Sequence, residues 1–146
     1  MSEWAEVSET FQAPVTPESL DLVQDRLESF WAHDESVSAT DRTRFELALV
    51  EIIGNIVEHA FELDADIRGR LLTVALSLGP DRIEAALSDN GLPAAIDLGV
   101  VTMPEEEATS GRGLALAVAA VDEVGYERVE GRNHWRLMCR RQRHVD

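Results

Sequence analysis

The stretch FELALVEIIGNIVEHAF, residues 45 to 61, constrains this chain more than any other. Phe45, Leu49, Ile52, Ile53, Ile56 and Ala60 recur at three- and four-residue spacing, the pattern of one helical face that must be buried against a partner layer. At 100° per residue, Glu51, Asn55, Glu58 and Glu62 fall within about 60° of one another on the opposite side. A solvent-facing stripe of an amphipathic helix is the ordinary explanation for the glutamates. Asn55 fits it less well, because Asn is a poor helix former at an interior position. His59 follows one turn later. Gly54 costs about 1 kcal/mol against Ala within a helix, and points to close packing or to close approach of a bound molecule.

The flanking sequence supplies the partner layer. Residues 4–13 place Ala5, Val7, Glu9 and Phe11 on one side, a mixed strand. In TPESLDLVQDRLESFWAHD, Thr16 is positioned to cap a helix with Pro17 in its first turn, and Leu20, Val23, Leu27, Phe30 and Trp31 share a face. The long helix then runs from about residue 38 to Phe61. GRLLTVALSLGPDRIEAALSDNG is expected to form a hairpin turning at Gly79, Pro80 and Asp81. Residues 90–110 show no consistent period and carry Pro93, Gly99, Pro104 and the acidic run Glu105 to Glu107, a long loop of the kind that often serves as a lid. GLALAVAAVDEV is a short alanine-rich helix, and YERVEGRNHWRLMCR a hairpin turning at Gly131 to Asn133. The order β-α-α-β-β-loop-α-β-β implies an α+β fold: a two-layer sandwich with helices on one face of a mostly antiparallel sheet. Neither repeat nor linker divides the chain, so residues 1–146 are expected to form a single domain.

Charge narrows the chemistry. The formal net charge is −15, from 13 basic and 28 acidic residues, a field that repels phosphate backbones and argues against direct nucleic-acid binding. All 13 basic residues are Arg. A Walker-A loop, an ordinary protein-kinase site and a Schiff-base enzyme each need a Lys, and are excluded. The one cysteine, Cys139, forms no internal disulfide, and no Cys/His cluster suggests zinc. With neither a secretory signal nor a membrane-spanning run, a cytoplasmic protein without membrane contact is expected.

Two glycine segments follow the long helix. LSDNGLP puts Asp89 at a strand end with Gly91 two residues on, and TSGRGLALAVAA puts Gly111, Arg112 and Gly113 at a helix entry. The second has the chemistry of an anion site: glycines admit close backbone approach, and free N–H groups at a helix start attract phosphate. Taken in order, Glu-x-x-x-Asn, Asp-x-Gly and Gly-x-Gly resemble the N, G1 and G2 boxes of the Bergerat ATP-binding fold of the GHKL superfamily. EIIGNIVEHAF, DNGLPAAID and GRGLALAVAAVDEVGYER are most similar to the anti-sigma-factor serine/threonine kinases, over roughly residues 12 to 141. The boxes fall at about 45–61, 87–93 and 111–122, with the lid at about 92–110.

The resemblance implies ATP and Mg²⁺ as cofactors. It implies that Glu51 is the catalytic base, that Asn55 holds Mg²⁺ carried by the ATP phosphates, and that Asp89 accepts from the adenine amino group. Gly91, Gly111 and Gly113 would admit the nucleotide, Arg112 would add a phosphate contact, and His59 would support Glu51 or Asn55, or pack. The implied partners are a sigma factor, which the protein binds, and an anti-anti-sigma protein of the STAS-domain type, which it phosphorylates; a homodimer is compatible with the family. Departures from the pattern are AAID in place of Phe-Asp-Pro after Pro93, and GRNHW where many relatives place a Thr that supports the adenine site, with Asn133 the candidate to substitute for it. These departures keep open an alternative: a nucleotide-gated protein-binding module with little kinase activity.

Overall fold

A computed structural model of the chain describes residues 7–63, 68–94 and 112–142. The elements are β1 (Val7–Pro14), α1 (Ser19–Trp31), α2 (Ala39–Leu63), β2 (Leu71–Leu78), β3 (Arg82–Asp89), α3 (Arg112–Ala120), β4 (Glu123–Val129) and β5 (Arg132–Arg140). The strands form one five-stranded antiparallel sheet in the order β1-β2-β3-β5-β4. This is the expected α+β sandwich, in the expected element order.

Strand alternation builds the core. Leu72, Val74, Leu76 and Leu78 of β2, Ile83, Ala85 and Leu87 of β3, and Trp135, Leu137 and Cys139 of β5 are buried on one sheet face. Against them pack Val23, Leu27 and Phe30 of α1 and Phe45, Leu49, Ile52 and Ile53 of α2, all of them inaccessible to solvent. The apolar stripe of residues 45 to 60 is therefore spent on this layer, which turns the Glu51–Asn55 side away from it. Phe30, Trp31 and Phe45 stack in tilted and edge-on pairs at 5.4 and 5.8 Å between centroids, closing the core between the two long helices.

Local details differ from the sequence expectation at three places. Thr16 does not cap α1; its carbonyl accepts the Ser19 N–H at 3.1 Å within a preceding turn, and the Ser19 hydroxyl donates to the Pro14 carbonyl. The alanine-rich helix stops at Ala120, four residues early, because β5 captures the chain. Asp122 donates its N–H to Met138 O at 3.0 Å, and its carboxylate accepts the Arg140 N–H at 2.6 Å. The last hairpin turns at Glu130 and Gly131, whose φ values of 50° and 79° suit a two-residue turn with the sheet's own twist, so Asn133 lies inside β5. The turn at Gly79 to Asp81 is as expected, closed by Gly79 N–H donating to Arg82 O at 3.0 Å.

The end of β5 is tied back to the helical layer. The Arg141 guanidinium donates to Asp34 at 3.1 Å, to the Gly79 carbonyl at 2.7 Å and to the Ser36 hydroxyl at 2.8 Å. The Ser36 hydroxyl, more than any other group, holds the Asp34 carboxyl below the usual carboxylate range; the Ser36 N–H and Arg141 add to this while partial burial opposes it. A depressed carboxyl contributes stability that is fully present above its unfolded value of about 3.9 and lost as pH falls through its lower folded value. Asp34→Asn, the neutral isostere, should therefore melt below the wild type at pH 7. The gap should close as pH falls below about 4, and a gap constant with pH would show that the charge is not what matters.

Candidate functional site

The polar side of α2 ends over the C-terminal end of β3. A recess there is lined by Asn55, Ile56, His59 and Ala60 from α2, Val15 after β1, Arg70 before β2, Asp89, Gly91, Leu92 and Ala94 at the end of β3, and Asn133 and Trp135 from β5. It thus collects Asn55, His59, Asp89 and Gly91, four residues singled out from sequence. Glu51 lies one turn before Asn55 on α2, half-buried and outside the lining. Gly111 lies outside the described residues, as does the segment 95–110. Arg112 and Gly113 form the first backbone turn of α3, so the helix starts between the two glycines rather than after them.

Asp89 organises the recess. It is 2% exposed, and its Oδ1 accepts the Gly91 N–H and the Asn133 amide, both at 2.9 Å. Its Oδ2 is buried and has no hydrogen-bond partner. Three buried side-chain polar atoms lack partners among the described residues, and two of them, Asp89 Oδ2 and Trp135 Nε1, belong to residues lining this one recess. The third, Glu9 Oε2, sits on β1 near Arg26, at 3.9 Å for the closest charged atoms. A buried acceptor left empty costs about 1–3 kcal/mol, so the arrangement suits a ligand that brings its own donor. One acceptor and one donor thus stand unsatisfied on residues that line this recess.

Gly91 has a reason visible in the coordinates. A Cβ there would stand 2.9 Å from Asp89 Oδ1, closer than side-chain contacts allow, so only glycine lets the chain fold back over the carboxylate. Gly54 behaves differently: among the described residues nothing lies within 4 Å of a Cβ built on it, so none of them packs closely against it.

His59 closes the near side. Its Nε2 lies 3.0 Å from the Pro93 carbonyl, which can only accept, so the ring proton sits on Nε2. His59 thus packs and fixes the residue after the Asp-x-Gly turn, while Asn55 makes no hydrogen bond among the described residues and remains available. Asn90 holds the turn from the other side, accepting the Leu71 N–H at 2.9 Å and donating to Gly69 O at 3.2 Å. Among the described residues no group of three or more His, Cys, Asp or Glu could hold a metal, and Asn55 brings a side-chain amide to the lining of the recess. Cys139 takes no part; it is buried in the core, and burial pushes its thiol up.

Sequence reasoning passed over Arg70, Tyr126, Arg128 and Trp135, and raised Asn133 only as a substitute for the family's Thr. The structure places Asn133 opposite Asp89 in the β3–β5 register.

The model of the histidine kinase-like ATPase domain family matches residues 13–139. The chain belongs to that family. Among solved structures, the RsbU and RsbW domains of Rv1364c from Mycobacterium tuberculosis align with a TM-score of 0.63 at 21% identity, covering 94% of this chain. The likeness is one of fold, and the chain spans about a third of that protein, 34% of its length. Comparison with curated proteins gives no match. In this histidine kinase-like ATPase domain the recess lies where the Asp-x-Gly segment meets the Asn-bearing helix.

The two glycines are expected to respond oppositely to the same methyl group. Gly91→Ala should lower the free energy of unfolding by about 1–3 kcal/mol through overpacking against Asp89, whereas Gly54→Ala should raise it by up to about 1 kcal/mol through helix propensity. Urea unfolding of both variants measures this, and equal changes in one direction would contradict the geometry.

Proposed function

We propose that this chain, as one domain over residues 1–146, is an ATP-dependent serine/threonine protein kinase of the anti-sigma-factor type. In this reading it binds a sigma factor and phosphorylates a STAS-domain partner, acts in the cytoplasm and can pair with a second copy. Membership of an ATPase-domain family supports nucleotide binding, and the fold likeness to a protein with an RsbW domain supports the anti-sigma branch. Among the described residues no helix is long and apolar enough to cross a membrane.

The observation that carries the reading is the partnerless Asp89 Oδ2, buried in an apolar recess beneath Asn55. The residues present suit Mg²⁺-ATP. Asp89 Oδ2 would accept from the adenine amino group, and Asn55 would give its amide oxygen to the metal. When bound, Mg²⁺-ATP supplies the phosphoryl group and neutralises charge around it. The chain's remaining task is to position the acceptor hydroxyl and take its proton, and Glu51, half-buried one turn from Asn55, is assigned that step. Gly111, Arg112 and Gly113 are assigned to the phosphates at the start of α3, and His59 to support of the Asp-x-Gly turn through Pro93.

Glu51→Gln should cut phosphate transfer to a cognate STAS partner by about 10²-fold or more while leaving ATP affinity nearly unchanged. Unaltered transfer would remove Glu51 from the mechanism. Mg²⁺-ATP at about 100 times its dissociation constant should add roughly 2.7 kcal/mol of stability to the wild type. Asn55→Ala should lose the Mg²⁺-dependent part of that shift, measured by thermal unfolding with and without the metal.

A further inference from the structure

Asn133 uses its whole hydrogen-bonding capacity. Its Oδ1 accepts from Tyr126 OH at 2.5 Å and from Arg128 Nη1 at 3.1 Å, while its Nδ2 donates to Asp89 Oδ1 at 2.9 Å and to Leu92 O at 2.8 Å. The orientation of the amide follows from its partners. Arg128 can only donate, so the oxygen must face it; the Leu92 carbonyl can only accept, so the nitrogen must face that. Tyr126 therefore gives its proton to Asn133 and keeps its lone pair for the Ala94 N–H, at 2.9 Å. Arg128 also donates to Gly91 O at 2.7 Å. Hydrogen bonds thus run in one direction from Ala94 N–H through Tyr126 and Asn133 to Asp89 Oδ1. Tyr126 stacks on Trp135 at 4.7 Å between ring centroids and does not itself line the recess.

We infer that Tyr126, Arg128 and Asn133 are positioning residues that fix the rotation of the Asp89 carboxylate, and thereby set the preference of the site for a base bearing an amino group. The inference rests on the adenine-nucleotide reading above. A carboxylate discriminates between a donor and its absence only if its free oxygen is held in place. Asp89 Oδ1 is occupied twice, which leaves Oδ2 as the one free acceptor of a residue that lines the recess. A Thr at position 133 has one donor and could not bond Asp89 and Leu92 together, so the amide ties the carboxylate to the turn that follows it. Neither Tyr126 nor Arg128 needs to touch the ligand for this.

The test compares ATP with purine riboside 5′-triphosphate, which lacks the 6-amino group, by calorimetric titration of the whole chain in Mg²⁺. The wild type should prefer ATP by about tenfold or more, the worth of one hydrogen bond to a charged group. Tyr126→Phe keeps the ring on Trp135 and removes the hydroxyl. It should bring the two affinities within about threefold by weakening ATP and sparing the analogue. Arg128→Gln, on an exposed side chain, should narrow the preference in the same direction and decides the matter if Tyr126→Phe is poorly folded. A purely structural role would lower the melting temperature and leave the ratio of affinities at its wild-type value, and that result would overturn the inference. A wild type that binds ATP without preferring it would overturn it as well. Absence of binding to either nucleotide would instead bring down the nucleotide reading, and this inference with it.

Discussion

A carboxylate buried at the end of β3, with one oxygen bonded twice and the other not at all, is the constraint around which the rest of the site is arranged. Burying Asp89 is tolerable only because Gly91 and Asn133 bring donors to Oδ1. Gly91 must be glycine to come so close, and Asn133 must sit opposite Asp89 in the β3–β5 register. That register is fixed in turn by alternation of the core: shifting β5 by one residue would exchange Trp135, Leu137 and Cys139 for His134, Arg136 and Met138 on the buried face. The hydrophobic layer and the polar site are therefore two outcomes of one strand alignment.

The helix α2 serves the same arrangement. Its apolar residues are consumed by the sheet and α1, which leaves no choice about where the Asn55 side points. His59, one turn on, reaches the Pro93 carbonyl and turns a helix face into a wall of the recess. Asn55 is conspicuous because a helix-disfavouring amide is kept where neither packing nor a described hydrogen bond requires it. Positions of that kind, where local preference yields without compensation inside the fold, are where ligand chemistry is expected.

Most of the architecture was legible from sequence because it rests on strong periodicities. The alternation of β2 and β3 and the apolar stripe of α2 each permit one placement. Boundaries were less legible where tertiary bonds outweigh propensity. Alanine-rich sequence would carry α3 past Ala120, but Asp122 is bonded to Met138 and Arg140 of β5, and those partners cannot be seen locally. Likewise, Asp89 and Gly91 were legible because their chemistry lies within three residues. The bonds of Asn133, Tyr126 and Arg128 were not, since they arise only when β5, with β4 beyond it, is laid along β3, 32 to 44 residues away in sequence.

The sheet order has a consequence for how such a domain comes into being. β5 is the last strand in chain order, yet it lies between β3 and β4 rather than at an edge. Until it has been synthesised and inserted, β3 has an open edge, Asp89 lacks its amide partner, and Trp135 is absent from the recess. A chain without β5 would lack the Asn133 amide on Asp89 and the Trp135 wall of the recess. Closing the sheet and completing the walls of the recess are therefore the work of the same strand.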